Sequence, residues 1–322
     1  MWAGPTPTAG ARGARYRSGV AIDGARLFHV NLNCTDLERS RRFYVEALGL
    51  EVGARTAPDT VQPGAAFGLD RARWDAWILL GGQGYAGGAI DLLQWLEPTP
   101  TGGAPGSYHE CGFQRIGFSV PDLDAVIERI DRLGGSVWHA PIEHTTGTPN
   151  PIRLVHASDP DGVVLEAFES PGSATSLSFV SVVCADLAMS LAWYEALGFR
   201  VLARFPTDRD DGSPMRLAGP VVMDEVLLAP PGGGSVHTIL VGFGVPRSTR
   251  VASRPANAVG LWRAAYLVDD LDAAQAALDE AGVATLAPPV AMAMGPDLPE
   301  LRFVCFRGPD GEVLELIETP AS

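Results

Sequence analysis

From Arg26 to Cys34 apolar and polar residues alternate, with Phe28, Val30 and Leu32 on one face and His29, Asn31 and Asn33 on the other. This is the period-two pattern of a half-buried strand. Asp36 then stands where a helix N-cap belongs, Phe43, Ala47 and Leu48 recur at helical spacing, and Gly49 supplies a stop. Leu50–Val52 begin another strand, and further strands are predicted at Ala76–Leu80 and Ala89–Trp95. The order is strand, helix, three strands. It returns at Phe113–Val120, helix Leu123–Leu133, Ser136–His139, Ile152–Ala157 and Val163–Phe168, then again from Leu177 and from Leu261. The pattern predicts an α+β chain of four βαβββ modules. A lone module has one bare sheet face, and pairing two closes a curved sheet around a cavity with the helices outside.

The text repeats as well as the pattern. Asp36-Leu37-x-x-Ser40-x-x-Phe43-Tyr44 with Ala47-Leu48-Gly49 is matched by Asp186-Leu187-x-x-Ser190-x-x-Trp193-Tyr194 with Ala196-Leu197-Gly198. Asp159-Pro160-Asp161-Gly162-x-x-Leu165-Glu166 is echoed by Gly308-Pro309-Asp310-Gly311-x-x-Leu314-Glu315, and Asp122 by Asp270. One building plan has been used twice. The expected organisation is a mobile tail over residues 1–25, a first domain over 26–170 (modules 26–97 and 112–170), a linker at 171–176, and a second domain over 177–320 (modules 177–246 and 261–320). Pro, Gly and Thr fill the connectors Pro98–Gly106 and Pro246–Pro255.

With these motifs, and with Val120-Pro121-Asp122-Leu123-Asp124-Ala125, the chain resembles the vicinal oxygen chelate superfamily. That superfamily includes glyoxalases, extradiol dioxygenases, methylmalonyl-CoA epimerases and bleomycin-type resistance proteins. The resemblance runs from about Arg26 to Glu318 and implies two glyoxalase-like domains, each a curved, incompletely closed mixed sheet around a cavity. It specifies the fold well and the reaction poorly, since one scaffold hosts many chemistries. Metal-bearing members place ligands on the first and last strands of each paired unit. In the first half those points read His29, Asp91, Arg115 and Glu166. Parity agrees: Ile90, Leu92, Ile116, Phe118 and Val120 can pack under helices, leaving Asp91, Arg115, Ser119 and Glu166 on the opposite face.

Arg115 departs from the family, where histidine is usual. An arginine ligates no metal and stays charged. A divalent ion about 4 Å from a guanidinium meets roughly 8 kcal/mol of repulsion at an effective dielectric of 20, which Asp91 and Glu166 can offset. One reading therefore keeps a single divalent metal, zinc, iron(II) or manganese(II), on His29, Asp91 and Glu166. A second needs no ion: Arg115 pairs with Glu166 or Asp91 and holds a substrate oxyanion, while His29 or a carboxylate moves protons. A third is an ion pair that merely closes the sheet.

In the second half the four points read Phe179, Ile239 (or His237, one strand period away), Arg263 and Glu315. The Arg–Glu couple is present twice and reads as architectural, whereas His29 and Asp91 mark the first half as the working one. Without histidine at Phe179 or Arg263, the iron site of an extradiol dioxygenase cannot be assembled. Trp95 shares the Asp91 face and can line a pocket. Asn31, Asn33 and Ser119 can orient a polar ligand, and His109 can reach the cavity mouth. Tyr44 and Tyr194 read as packing residues. Pro230–Gly234 reads as a hairpin connector without the context of a phosphate loop.

Composition narrows the function class. A net charge of −14 and the lack of a basic run disfavour nucleic acid. No apolar run approaches bilayer length, so no membrane association and a cytoplasmic location are expected. The four cysteines, Cys34, Cys111, Cys184 and Cys305, form no CxxC pair, and Cys34 and Cys184 read as buried structural thiols. The expected function is a lyase- or isomerase-like enzyme that moves a proton on an oxygen-bearing small molecule, leading to isomerisation, elimination or cyclisation. The alternative is a non-catalytic binder or antibiotic-sequestering protein. A homodimer is also open, because paired modules can close within one chain or between two.

Overall fold

The computed structural model describes residues 22–144, 151–296 and 298–319. Residues 1–21 of the expected tail and residues 145–150 lie outside them. Residues 22–25 are not tail-like: Ile22 is fully buried and its N–H donates to Leu197 O.

All four modules are present. The first comprises β1 (Arg26–Asn33), α1 (Leu37–Leu48), β2 (Glu51–Thr56), β3 (Gln62–Pro63), β4 (Arg71–Leu80) and β5 (Ala89–Glu97). The second comprises β6 (Gly112–Val120), α2 (Leu123–Arg132), β7 (Ser136–Val137), β8 (Ile142–His144), β9 (Ile152–Ser158) and β10 (Val164–Glu169). The third runs β11 (Ser176–Cys184), α3 (Leu187–Ala196), β12 (Arg200–Arg209), β13 (Val221–Ala229) and β14 (His237–Val245). The fourth runs β15 (Gly260–Val268), α4 (Leu271–Ala281), β16 (Val290–Met292), β17 (Leu301–Arg307) and β18 (Val313–Glu318). Each helix is capped by an aspartate, Asp36, Asp122, Asp186 or Asp270, whose side chain accepts the N–H three residues on. Gly49 and Gly282 end their helices in the left-handed region.

The pairing of modules departs from the expected one. β1 pairs antiparallel with β15, and β6 with β11. One sheet therefore runs β16-β17-β18-β15-β1-β5-β4-β2, and the other β12-β13-β14-β11-β6-β10-β9-β7. The first module closes a cup with the fourth, and the second with the third. Modules 26–97 and 112–170 do not share a cup. They meet on their helix sides instead: Asp161, in the β9–β10 turn, accepts from Thr35, Arg39 and Ser40, and Tyr44 donates to Asp159. The two long connectors run alongside and pair with each other, with Thr101 N–H donating to Asn257 O and Thr249 N–H to His109 O.

The helices and the convex faces of both sheets share one continuous core, which includes Phe43, Tyr44, Phe118, Trp193, Tyr266 and Phe306. Each concave face carries its own smaller apolar cluster. Strand parity is broken once to good effect. Register slips between Leu27 and His29, so Phe28 leaves the Val30–Leu32 face and joins His29 inside the cup. All four cysteines are free and buried.

The tie between helix and hairpin is made differently in the fourth module. Asp159 accepts from Tyr44 O–H and from the N–H groups of Asp161 and Val163. At the repeat position Gly308 has no carboxylate, and Glu312, where the second module has Val163, supplies one. Tyr194 donates to Glu312 at 2.9 Å and the Asp310 N–H at 3.0 Å. A Cβ on Gly308 would lie 2.0 Å from Glu312 Oε1. The two carboxylates thus claim the same space from different positions in the chain. Gly308→Asp and Glu312→Val should each destabilise by about 1–3 kcal/mol. Together they rebuild the second-module arrangement, so the double variant should lie within about 1 kcal/mol of the parent in urea unfolding.

Burial, reinforced by the neighbouring Asp310 charge, pushes the Glu312 carboxyl up to about 8. The native state then holds a proton that the unfolded chain has released. Stability falls as pH rises from the ordinary carboxylate range through about 8. The thermal midpoint should drop between pH 6 and pH 9, with a shallower slope in Glu312→Gln.

Candidate functional site

Four strands of the first sheet bring four ionisable side chains together. β1 supplies His29, β5 Asp91, β15 Arg263 and β18 Glu315, all buried. Arg263 Nε donates to Glu315 Oε2 and Nη2 to Asp91 Oδ2, each at 2.8 Å. His29 Nε2 faces the same two oxygens at 3.6 Å and 3.8 Å. Asn31 Nδ2 donates to Asp91 Oδ2 at 3.1 Å and fixes the carboxylate. Burial alone would raise Glu315, but the Arg263 guanidinium and His29 hold it below the usual carboxylate range. Burial likewise opposes charge on Arg263, and Glu315 and Asp91 outweigh it and raise the guanidinium.

This cluster forms the floor of a cavity of about 210 Å³. Phe28, Phe67, Trp74, Trp95 and Phe303 wall it, and half-exposed Tyr85 stands at the rim. Phe67 is the keystone of the wall: it stacks on Phe303 and meets Trp74, Trp95 and Trp262 edge-on. Both ring nitrogens of His29 and Nη1 of Arg263 are buried without a hydrogen-bond partner among the described residues. Buried donors of this kind are costly unless something satisfies them.

The second cup holds the other two expected residues. Arg115 Nε donates to Glu166 at 2.9 Å and Nη2 to Glu225 at 2.5 Å, between the rings of Tyr108 and Phe179. His156 Nε2 lies 3.3 Å from Glu166, and burial is overcome by Arg115 and His156, which hold Glu166 down at about 2. Only about 40 Å³ is open there. Phe179 stands where the first cup has His29, and Ile239 where it has Asp91. Register puts Glu225 at the place of Ala76, so the missing carboxylate has moved one strand over.

The expected convergence of His29, Asp91, Arg115 and Glu166 is therefore corrected: the first two meet Arg263 and Glu315, and the last two meet Glu225. A metal on His29, Asp91 and Glu166 fails for the same reason. Replacing Glu166 by Glu315 does not restore it, because the two oxygens that face His29, Asp91 Oδ2 and Glu315 Oε2, are the ones the Arg263 guanidinium already holds at 2.8 Å. The residues present do not fit a divalent ion. Among the described residues no group of three or more His, Cys, Asp or Glu side chains is placed to hold one. Trp95 does line the cavity. Asn33 does not contact it as a ligand group: it donates to Ala256 O and Ala258 O and accepts from Trp95, tying a connector to the wall. Ser119 donates to Ser176 O, and His109 contacts Ser107 and packs on Phe243, both away from the first cup. Arg263 and Glu315 were visible in the sequence but attached to the wrong cup. Phe67, in a 3-10 turn, carries no periodic signal that would mark it.

Two curved sheets, four βαβββ modules and a polar floor on the first and last strands define a vicinal oxygen chelate protein. The chain belongs to the Glyoxalase/Bleomycin resistance protein/Dioxygenase superfamily, whose model matches residues 26–167 and again 176–316. It is similar to a probable chloroplastic lactoylglutathione lyase of Arabidopsis thaliana, 25% identical over 57% of this chain and 47% of that one. The chain thus spans about half the length of that relative. It is also similar to the uncharacterized protein YaeR of Escherichia coli, 24% identical over 45% of this chain and 95% of that one. In structure it resembles glyoxalase I from Zea mays, with a TM-score of 0.61, 20% identity, and coverage of 91% and 92%. A putative dioxygenase from Bacillus subtilis matches with a TM-score of 0.59, 15% identity, and coverage of 92% and 86%. These likenesses show the fold. No helix among the described residues is long and apolar enough to cross a membrane.

Removing one member of a buried ion cluster strands the others. Arg263→Met should cost about 3–5 kcal/mol at pH 7. The difference from the parent in urea unfolding should narrow as pH falls through the carboxylate range, since the carboxylates that lost their cation are then protonated in both states.

Proposed function

We propose that the cup of the first and fourth modules is the active site of a small-molecule enzyme that moves a proton on an oxygen-bearing substrate. The observation that carries this reading is that His29 and Arg263 line the floor of an apolar cavity while the ring nitrogens of one and Nη1 of the other have no hydrogen-bond partner among the described residues. A substrate carbonyl or phenolic oxygen accepts from Arg263 Nη1. The unprotonated nitrogen of His29 takes the proton from the adjacent carbon or hydroxyl. As negative charge gathers on the oxygen, the guanidinium hydrogen bond strengthens. His29 then returns the proton at the product position, so the cycle is balanced without another reactant. Asp91 and Glu315 hold the guanidinium in place. Isomerisation, elimination and cyclisation all begin with this step.

A second reading, binding without chemistry, is favoured by the aromatic wall, which suits retention of a ligand as well as its conversion. The lactoylglutathione lyase names of the relatives support a lyase or isomerase class for this chain, and Arg263 in place of a ligand supports a reaction that needs no metal.

His29→Ala should lower kcat about 10²–10⁴-fold with a smaller effect on KM, and chelator treatment should leave turnover of the parent unchanged. Unaltered turnover in both His29→Ala and Asp91→Ala removes the catalytic assignment. Stoichiometric metal in the purified protein, lost in Asp91→Ala and Glu315→Ala, overturns the guanidinium-centred site.

A further inference from the structure

The cavity is informative about what it can hold. Its wall is almost wholly aromatic and aliphatic, and the charged groups lining it are those of the floor. Within the floor Asp91 and Glu315 are both bound to Arg263, which leaves one net negative charge when His29 is neutral. Among the described residues no other cationic side chain lines the space. The chain as a whole contains no lysine, its 24 basic residues all being arginines. An anionic ligand would add a second negative charge to a buried setting, opposite one free guanidinium nitrogen. A neutral oxygen meets no such cost. It can accept from Arg263 Nη1, and a hydroxyl or activated C–H beside it can face His29.

Size points the same way. A dry, apolar cavity of about 150 Å³ accommodates benzene, and drug-sized ligands occupy roughly 300–1,000 Å³. At about 210 Å³ the space suits one or two fused rings. The rings around Phe67 pack on one another edge-on and stacked, which makes a close aromatic wall suited to a flat guest. Glutathione conjugates, with two carboxylates on a tripeptide frame, find neither the volume nor the cations.

Resting on the assignment of this cup as the working site, we infer that its ligand is a neutral aromatic molecule of one or two rings bearing a carbonyl or phenolic oxygen. Carboxylates and glutathione thioesters are rejected by the charge already on the floor.

The test is a titration of the purified full chain with 1-indanone, 2-naphthol, 2-naphthoate and S-lactoylglutathione. Binding is followed by calorimetry and by quenching of tryptophan fluorescence, to which Trp74 and Trp95 contribute from the wall. The two neutral probes should bind once per chain and at least tenfold more tightly than 2-naphthoate, and S-lactoylglutathione should show no saturable binding. Half-buried Ala54 lines the cavity and its N–H donates to the hydroxyl of Tyr85 at the rim, so Ala54→Trp should abolish binding of both neutral probes while leaving the thermal midpoint near that of the parent. Equal or tighter binding of 2-naphthoate or S-lactoylglutathione overturns the inference, as does failure of both neutral probes to bind. Deuterium exchange at the carbon next to the indanone carbonyl reads the catalytic proposal separately. Binding without exchange removes proton transfer and keeps the ligand class. Turnover of S-lactoylglutathione without aromatic binding removes the ligand class and keeps catalysis.

Discussion

Each cup is held by one guanidinium that bridges two carboxylates from two different modules. Arg263 joins Glu315 of its own module to Asp91 of the first, across the β1–β15 seam. Arg115 joins Glu166 to Glu225 of the third, across the β6–β11 seam. Such buried clusters add little net stability compared with apolar packing, and they tolerate no missing member. Their effect is to fix where the concave faces stop being apolar. In the first cup the clamp also sets the floor on which His29 stands. In the second it lies between aromatic rings and is filled over, with Phe179 at the position of His29.

The fold was legible because four copies of one pattern agree. Strand alternation, aspartate caps and the hairpin text each point to the same module, and the helices and sheets appear where periodicity puts them. Which module faces which was not legible, and the clamp shows why. With the expected pairing, Arg115 would have met Asp91 and Glu166, and Arg263 would have met Glu315 and Glu225. Either arrangement gives each guanidinium two carboxylates, so the charges alone do not choose. The choice rests on contacts without a periodic signature: Asp161 on α1, Asp310 on α3, and two connectors that hydrogen-bond to each other.

Of the site, the polar residues of β1 and β5 could be read from parity, and Trp95 with them. Arg263 and Glu315 required the true pairing. Phe28 required a register slip that no alternation pattern announces, and Phe67 lies in an irregular turn. The repeat in the hairpin also misled in a small way. Gly308 looks like the loss of Asp159, yet the carboxylate is still there, delivered by Glu312. What the module keeps is an acceptor for the helix tyrosine, and the position that carries it has drifted.

The seam between β1 and β15 has a consequence for synthesis. Leu32 finds its partner in Leu261, near the far end of the polypeptide. While the ribosome is still making the middle of the chain, β1 presents an apolar strand with a bare edge, the kind of surface that recruits other chains. The back-to-back packing of the first two modules through α1 can form earlier and anchors this strand while its edge waits. The cavity itself exists only after the last quarter of the protein has emerged, so a truncated product would carry His29 and Asp91 but have no place for a guest.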